Sequence, residues 1–167
     1  GKERVETVYQ LIDFFSLFYL RFIQGQQAKK GVWNSIHGTP TFYTWAGDTF
    51  ELLCIEHLPQ IQDSLRIASI DRNYCWSGKS SNGRGAQIDL LLESKADRTD
   101  YLCEMKFTGT KYAITKNDEE NFLNKIEAFV ASKMHNETHS IHLVMVTTTG
   151  IAKGEHAGIV NQSITVE

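Results

Sequence analysis

The chain of 167 residues predicts an α/β sandwich built on a mixed central sheet flanked by helices. Three observations predict it. The apolar periodicity changes from helical to strand-like and back, in the order helix, three strands, helix, strand. Short polar turns at 78–85 and 95–100 join the three strands as an antiparallel meander. The strand after the last helix can return in parallel through a right-handed crossover. At this length one domain with a real core is expected.

The elements follow in order. Residues 5–23 carry Leu11, Phe14, Phe15, Phe18 and Phe22 at spacings of three and four, which predicts one helix or two short ones. Ile12, Leu17 and Leu20 lie off that stripe, so the helix needs cover on most sides, from the rest of the chain or from a partner. Gly25 to Gly31 is a polar break, and the stretch to Pro40 has no clear pattern. A second helix is expected over 45–58, opened by Thr44 or Gly47-Asp48 and ending near Pro59, with a further turn at 60–65. Strands are expected at about 67–76, 86–93 and 101–107. Asn117 to Glu120 reads as the acidic start of a helix running to about Met134. Strands close the chain at 141–147 and 163–166.

Composition is that of an ordinary globular chain, 41% hydrophobic and 22% charged. The net charge of -3 argues against a dense basic surface, although a local cluster can still hold phosphate. Cys54, Cys75 and Cys103 are odd in number and match no metal spacing, which predicts buried thiols in a reducing, cytoplasmic setting. The apolar run Leu11 to Ile23 is too short for a membrane span. The start at Gly1, without methionine, suggests a piece excised from a longer protein.

The chemistry concentrates in two of the predicted strands. Asp89 lies in Ala86-Gln87-Ile88-Asp89-Leu90-Leu91-Leu92, and Glu104 and Lys106 lie in Tyr101-Leu102-Cys103-Glu104-Met105-Lys106-Phe107. Residues two apart share a strand face, so Glu104 and Lys106 point the same way. An acid and a lysine in an apolar strand carry a desolvation cost that a bound divalent cation would offset. Mg²⁺ or Mn²⁺ would take oxygens from Asp89, Glu104 and the Met105 carbonyl and keep several waters. Such a cation polarises a scissile phosphate and lowers the pKa of water. Lys106 would orient that water and offset phosphoryl charge. Glu51, inside the first core helix, is the preferred further acid over Glu56.

Gln87, sharing the face of Asp89, suits a water or phosphate. Arg72, Lys79 and Arg84 form one basic cluster, and Lys106, Lys111 and Lys116 another, with Tyr74, Trp76 and Tyr112 interleaved. This is a modest footprint for DNA. Lys125 can reach a phosphate or sit on a solvated helix face. His135, His139 and His142 have no zinc-site spacing and read as surface histidines. Gly83-Arg84-Gly85 leads into a strand and lacks the tail of a phosphate loop.

Asp89, Glu104-Met105-Lys106 and the helical Glu51 resemble the PD-(D/E)XK, or restriction-endonuclease-like, nuclease superfamily. The resemblance implies an αβββαβ core and Mg²⁺-dependent cleavage of DNA. Ile88 stands where the motif name has proline. A closer resemblance is to the C-terminal domain of a family of archaeal and bacterial AAA+ ATPases. It is carried by Tyr9-Gln10-Leu11-Ile12-Asp13-Phe14-Phe15, Phe18-Tyr19-Leu20-Arg21-Phe22-Ile23 and Gly47-Asp48-Thr49-Phe50-Glu51, with Glu56-His57. It continues through Gly85 to Leu91, Cys103 to Phe107, Thr147-Thr148-Thr149-Gly150 and Ile164-Thr165-Val166. It implies that 1–40 is a helical bridge from an ATPase and winged-helix part and that 41–167 is the nuclease-like domain. No G-x-x-x-x-G-K-[ST] loop occurs, so ATP hydrolysis is not assigned to this chain. A non-catalytic DNA-binding or protein-interaction module, or a part controlling ATPase assembly, is the alternative. The apolar first helix also predicts a homo-oligomer.

Overall fold

A computed structural model describes residues 11–25 and 31–166. Five strands form one sheet in the order β1 (Arg72–Lys79), β2 (Gly85–Ser94), β3 (Thr99–Lys106), β4 (Ser140–Thr147) and β5 (Gln162–Thr165). The first three are antiparallel neighbours, and β4 and β5 continue in parallel. The mixed sheet expected from the sequence is therefore present, with helices on both faces.

On one face lie α3 (Pro40–Glu56) and α4 (Leu58–Leu65). Phe50, Cys54, Ile61 and Leu65 pack there against Leu90, Leu92, Tyr101, Cys103, Met105, Val144 and Val146. On the other face, Phe122, Ala128 and Phe129 of α5 (Lys116–Val130) pack against Trp76, Ile88, Leu91, Leu102, Leu143 and Met145. Gly78 is glycine for a steric reason: a Cβ there would stand 2.5 Å from the Trp76 ring. That ring meets Phe129 edge-on at 5.5 Å.

Two helix starts differ from expectation, and local chemistry explains both. α3 begins at Pro40 because Thr39 caps it, accepting the Phe42 N–H at 3.2 Å, and proline suits the first helical position. The expected boundary between 40 and 41 thus falls in its first turn. Pro59 opens α4 rather than closing α3. α5 is capped by Thr115 in a reciprocal box with Asp118.

Residues before 11 of the first predicted helix lie outside the described residues. Beyond them, α1 (Phe14–Phe18) continues as a wider π-helical turn over Tyr19–Ile23, and α2 (Val32–Ile36) follows. The phenylalanine stripe divides. Phe22 is buried, Phe18 packs on Trp33 and Trp45, and Phe15 is 75% exposed. No helix among the described residues is long and apolar enough to cross a membrane.

Candidate active site

A bulge in β2 aims the first acid. Tyr74 faces Leu91 and Trp76 faces Ile88, so Asp89 and Leu90 together stand opposite Cys75 alone. Strict alternation would put Ile88 and Leu91 on opposite faces, yet both pack on the α5 side. Asp89 occupies the phase change. Its Oδ2 accepts the Met105 N–H at 3.0 Å, just beyond the Leu90–Cys103 pair where the β2–β3 ladder ends. The carboxylate is thus tied to the Glu104-Met105-Lys106 triplet. Met105 enters the site through this N–H, and its side chain lies in the core.

Glu104 is 5% exposed and points to the α5 side. Lys106 Nζ donates to its Oε1 at 2.7 Å, and Lys125 Nζ donates to its Oε2. Lys125 is itself 8% exposed. The solvated-face reading of Lys125 therefore fails: the helix turns this lysine inward because Glu104 awaits it. The sequence offers one signal for this, the spacing of Asn121 and Lys125 on one face of α5.

Charge is crowded here. Burial and the neighbouring Glu104 raise the Asp89 carboxyl above its ordinary range, against the Met105 N–H and the two lysines. Burial, then Asp89, pushes Glu51 up to about 7, against the pull of Lys106. Burial depresses the Lys106 ammonium, but Glu104 and Asp89 outweigh it and hold its pKa above the usual value. Glu51 thus belongs electrostatically to the same centre as Asp89, Glu104 and Lys106. Its raised folded-state pKa means that stability is fullest below about 4.5 and is lost as pH rises towards 7. In chelator, Glu51→Gln is expected to flatten that slope. It should stabilise the protein at pH 8 by about 1 kcal/mol once solvent screening is allowed for. Urea unfolding at several pH values measures it; a loss of stability at pH 8 would contradict the crowding.

Two open cavities meet at Asp89 and Gln87. One, of about 430 Å³ on the α3 side, is lined by Trp45, Asp48, Glu51, Ile55 and Cys75 as well. The other, of about 570 Å³ on the α5 side, adds Ser77, Gly78, Gly85, Asn121 and Lys125. Sequence reading missed Trp45, Asp48, Cys75 and Asn121. Asp48 stands three residues before Glu51, the one spacing that hints at a shared helix face.

The basic candidates divide. Arg84 Nη2 reaches Asn121 at 3.4 Å on the rim of the larger cavity, and Lys79 is exposed in the same hairpin. That hairpin is anchored to α5 by buried Ser80, whose hydroxyl donates to Asn124 Oδ1 at 2.7 Å. Arg72 is not brought to the site. It pairs with Glu93 at 2.5 Å, four residues and roughly 13 Å along β2 from Asp89. Lys111 is exposed in the loop after β3, and Lys116 pairs loosely with Glu120 at 3.9 Å.

Two further expectations are corrected. Cys75 is exposed, while Cys54 and Cys103 are buried. His135 and His139 are not surface groups. Their Nδ1 atoms each stand 2.9 Å from an oxygen of buried Asp100, a partner far away in sequence.

Asp89 and Glu104, carboxylates on adjacent strands, are the hard oxygen donors that a divalent cation takes. As the side chains stand, no three His, Cys, Asp or Glu among the described residues gather closely enough to hold one. The lysines occupy both oxygens of Glu104 instead.

No family model matches this chain, and no curated protein matches it. A solved crystal structure of a protein of unknown function, AF1548, is similar over 62% of this chain and 53% of its own, at 14% identity and a TM-score of 0.41. The likeness therefore spans about half the length of that protein.

Proposed function

We propose that the domain hydrolyses a phosphodiester bond of DNA with a divalent cation, as a restriction-endonuclease-like nuclease of the PD-(D/E)XK type. The observation that carries this reading is the Asp89–Met105 hydrogen bond, which sets Asp89 beside Glu104 and Lys106 with Glu51 close by. Asp89 and Glu104 would hold Mg²⁺ or Mn²⁺, with Glu51 beside them. The cation supplies a polarised phosphate and a more acidic water. Lys106, kept protonated by Glu104 and Asp89, orients the attacking water and balances charge on the phosphoryl oxygens. Glu51, whose carboxyl burial and Asp89 push up to about 7 without metal, would be the acid beside that water. Gln87, Arg84 and Lys79 border the cavities a DNA strand would enter. The resemblance to C-terminal domains of AAA+ ATPases makes such an ATPase the proposed parent.

The test is cleavage of linear, supercoiled and branched DNA with Mg²⁺, with Mn²⁺ and with chelator. Cutting is expected with either metal, and none with chelator or with Asp89→Asn. Lys106→Ala should spare the fold and most metal binding but slow turnover by about 10²-fold or more. An unchanged rate at saturating metal and DNA would exclude its role.

The second reading, a module that binds DNA or protein without cutting, is favoured by one observation: both oxygens of Glu104 are already neutralised by lysines. DNA binding that ignores metal, with no cleavage of any substrate, would select it.

A further inference from the structure

Glu104 carries two ammonium partners where one would balance it. Lys106 belongs to the same strand face, and its side chain is one-third exposed. Lys125 comes from α5 and is almost as buried as the carboxylate it holds. With Asp89 ionised, two carboxylates face two ammoniums, and an ionised Glu51 adds at most one more negative charge. A divalent cation on Asp89 and Glu104 would leave the cluster with surplus positive charge. Uncompensated charge in a buried cluster is costly. One ammonium must therefore retreat when a cation is held.

The geometry singles out Lys125. Its Nζ sits on Glu104 Oε2 as that of Lys106 sits on Oε1, so both compete for the carboxylate, but Lys125 is the buried one of the two. It also lines the larger cavity, beside Ser77, Gly85, Gln87 and Asn121, and that space opens to solvent. A four-carbon stem with a rotatable ammonium can make the move without shifting the helix. Lys106 has no comparable reason to leave, since it already stands at the solvent side of the cluster.

We propose that Lys125 is an internal counter-cation that exchanges with the metal. It holds Glu104 when no divalent cation is bound and turns into the α5-side cavity, towards a phosphate, when one is. The proposal rests on the metal-dependent reading above. It adds that metal and phosphate binding support each other through this one side chain, a coupling that must be reciprocal.

Amine-reactive labelling of the wild-type protein, read residue by residue by mass spectrometry, tests it without any substitution. In chelator Lys125 should be protected, while exposed Lys79 and Lys111 react. With saturating Mg²⁺, fixed by calorimetry, its labelling should rise about fivefold or more while that of Lys79 and Lys111 is unchanged. Thermal melting of Lys125→Met gives the second readout. The variant should melt several degrees below wild type in chelator, and the gap should close in saturating Mg²⁺. If Mg²⁺ binds but Lys125 stays protected, or the gap persists, the exchange is overturned and the metal reading stands. If neither Mg²⁺ nor Mn²⁺ binds wild type, both fall together. Should Lys125→Met not fold, the wild-type labelling decides alone.

Discussion

Glu104→Ala is expected to cost about 3–5 kcal/mol of folding stability, whether or not the domain cuts DNA. The carboxylate stands between two ammoniums, and Lys125 has almost no contact with water. Removing the acid leaves Lys125 either buried without its partner or obliged to give up its packed position for the α5-side cavity. Lys106 is one-third exposed and can rehydrate, so most of the cost falls on Lys125. Denaturant unfolding of Glu104→Ala beside Glu104→Ala/Lys125→Met separates the two, and the double variant should recover about 2 kcal/mol or more of the loss. A single-variant cost under about 1 kcal/mol would mean that the clamp contributes little. The corollary concerns controls. Lost cleavage in Glu104→Ala would mix fold with chemistry, whereas Asp89→Asn keeps shape and an oxygen for the Met105 N–H.

Asp100→Ala should be about as damaging, near 3–5 kcal/mol. Asp100 is 2% exposed, and each of its oxygens stands 2.9 Å from an imidazole Nδ1, of His135 and of His139. Alanine would leave two buried ring N–H groups with no acceptor. Asp100→Asn keeps one acceptor and should lose less. The effect should concentrate where α5 returns to β4, so amide exchange over 131–139 should speed up before the rest of the sheet opens. Loss of protection spread evenly over the chain, or a cost under about 1 kcal/mol, would refute the assignment. Asp100 lies six residues from Lys106, about 20 Å along β3, so surviving variants should keep the Asp89–Glu104–Lys106 cluster intact.

The order of elements was legible because the core helices carry apolar stripes and the core strands are short apolar runs between polar turns. The ends were less so. Thr39-Pro40 is a helix start written plainly in the sequence, but Gly47-Asp48 competes with it as a turn signal. Asp89, Glu104 and Lys106 stood out because each interrupts an apolar strand. Lys125, Asp100 and the two histidines did not, because their burial depends on partners 21, 35 and 39 residues away. A lysine in Asn-Lys-Ile-Glu and a histidine in a polar turn look solvated until those partners are known. The bulge was illegible for the opposite reason. Ile88 and Leu90-Leu91-Leu92 are apolar on both faces, so Asp89 reads as an interruption of an apolar run and not as a change of phase.

That bulge also says how tolerant this strand is to length changes. One added residue in β2 relative to β1 lets a single carboxylate be shared by two layers of the domain that the sheet otherwise separates. Deleting Leu90 would restore unbroken alternation and keep the strand nearly as apolar as before. It would also slide Asp89 by one position against β3, away from the Met105 N–H. Chains differing only by an insertion or deletion here could share every motif residue and still differ in whether the acid reaches its neighbours, so sequence comparisons across this stretch should weigh gaps above identities.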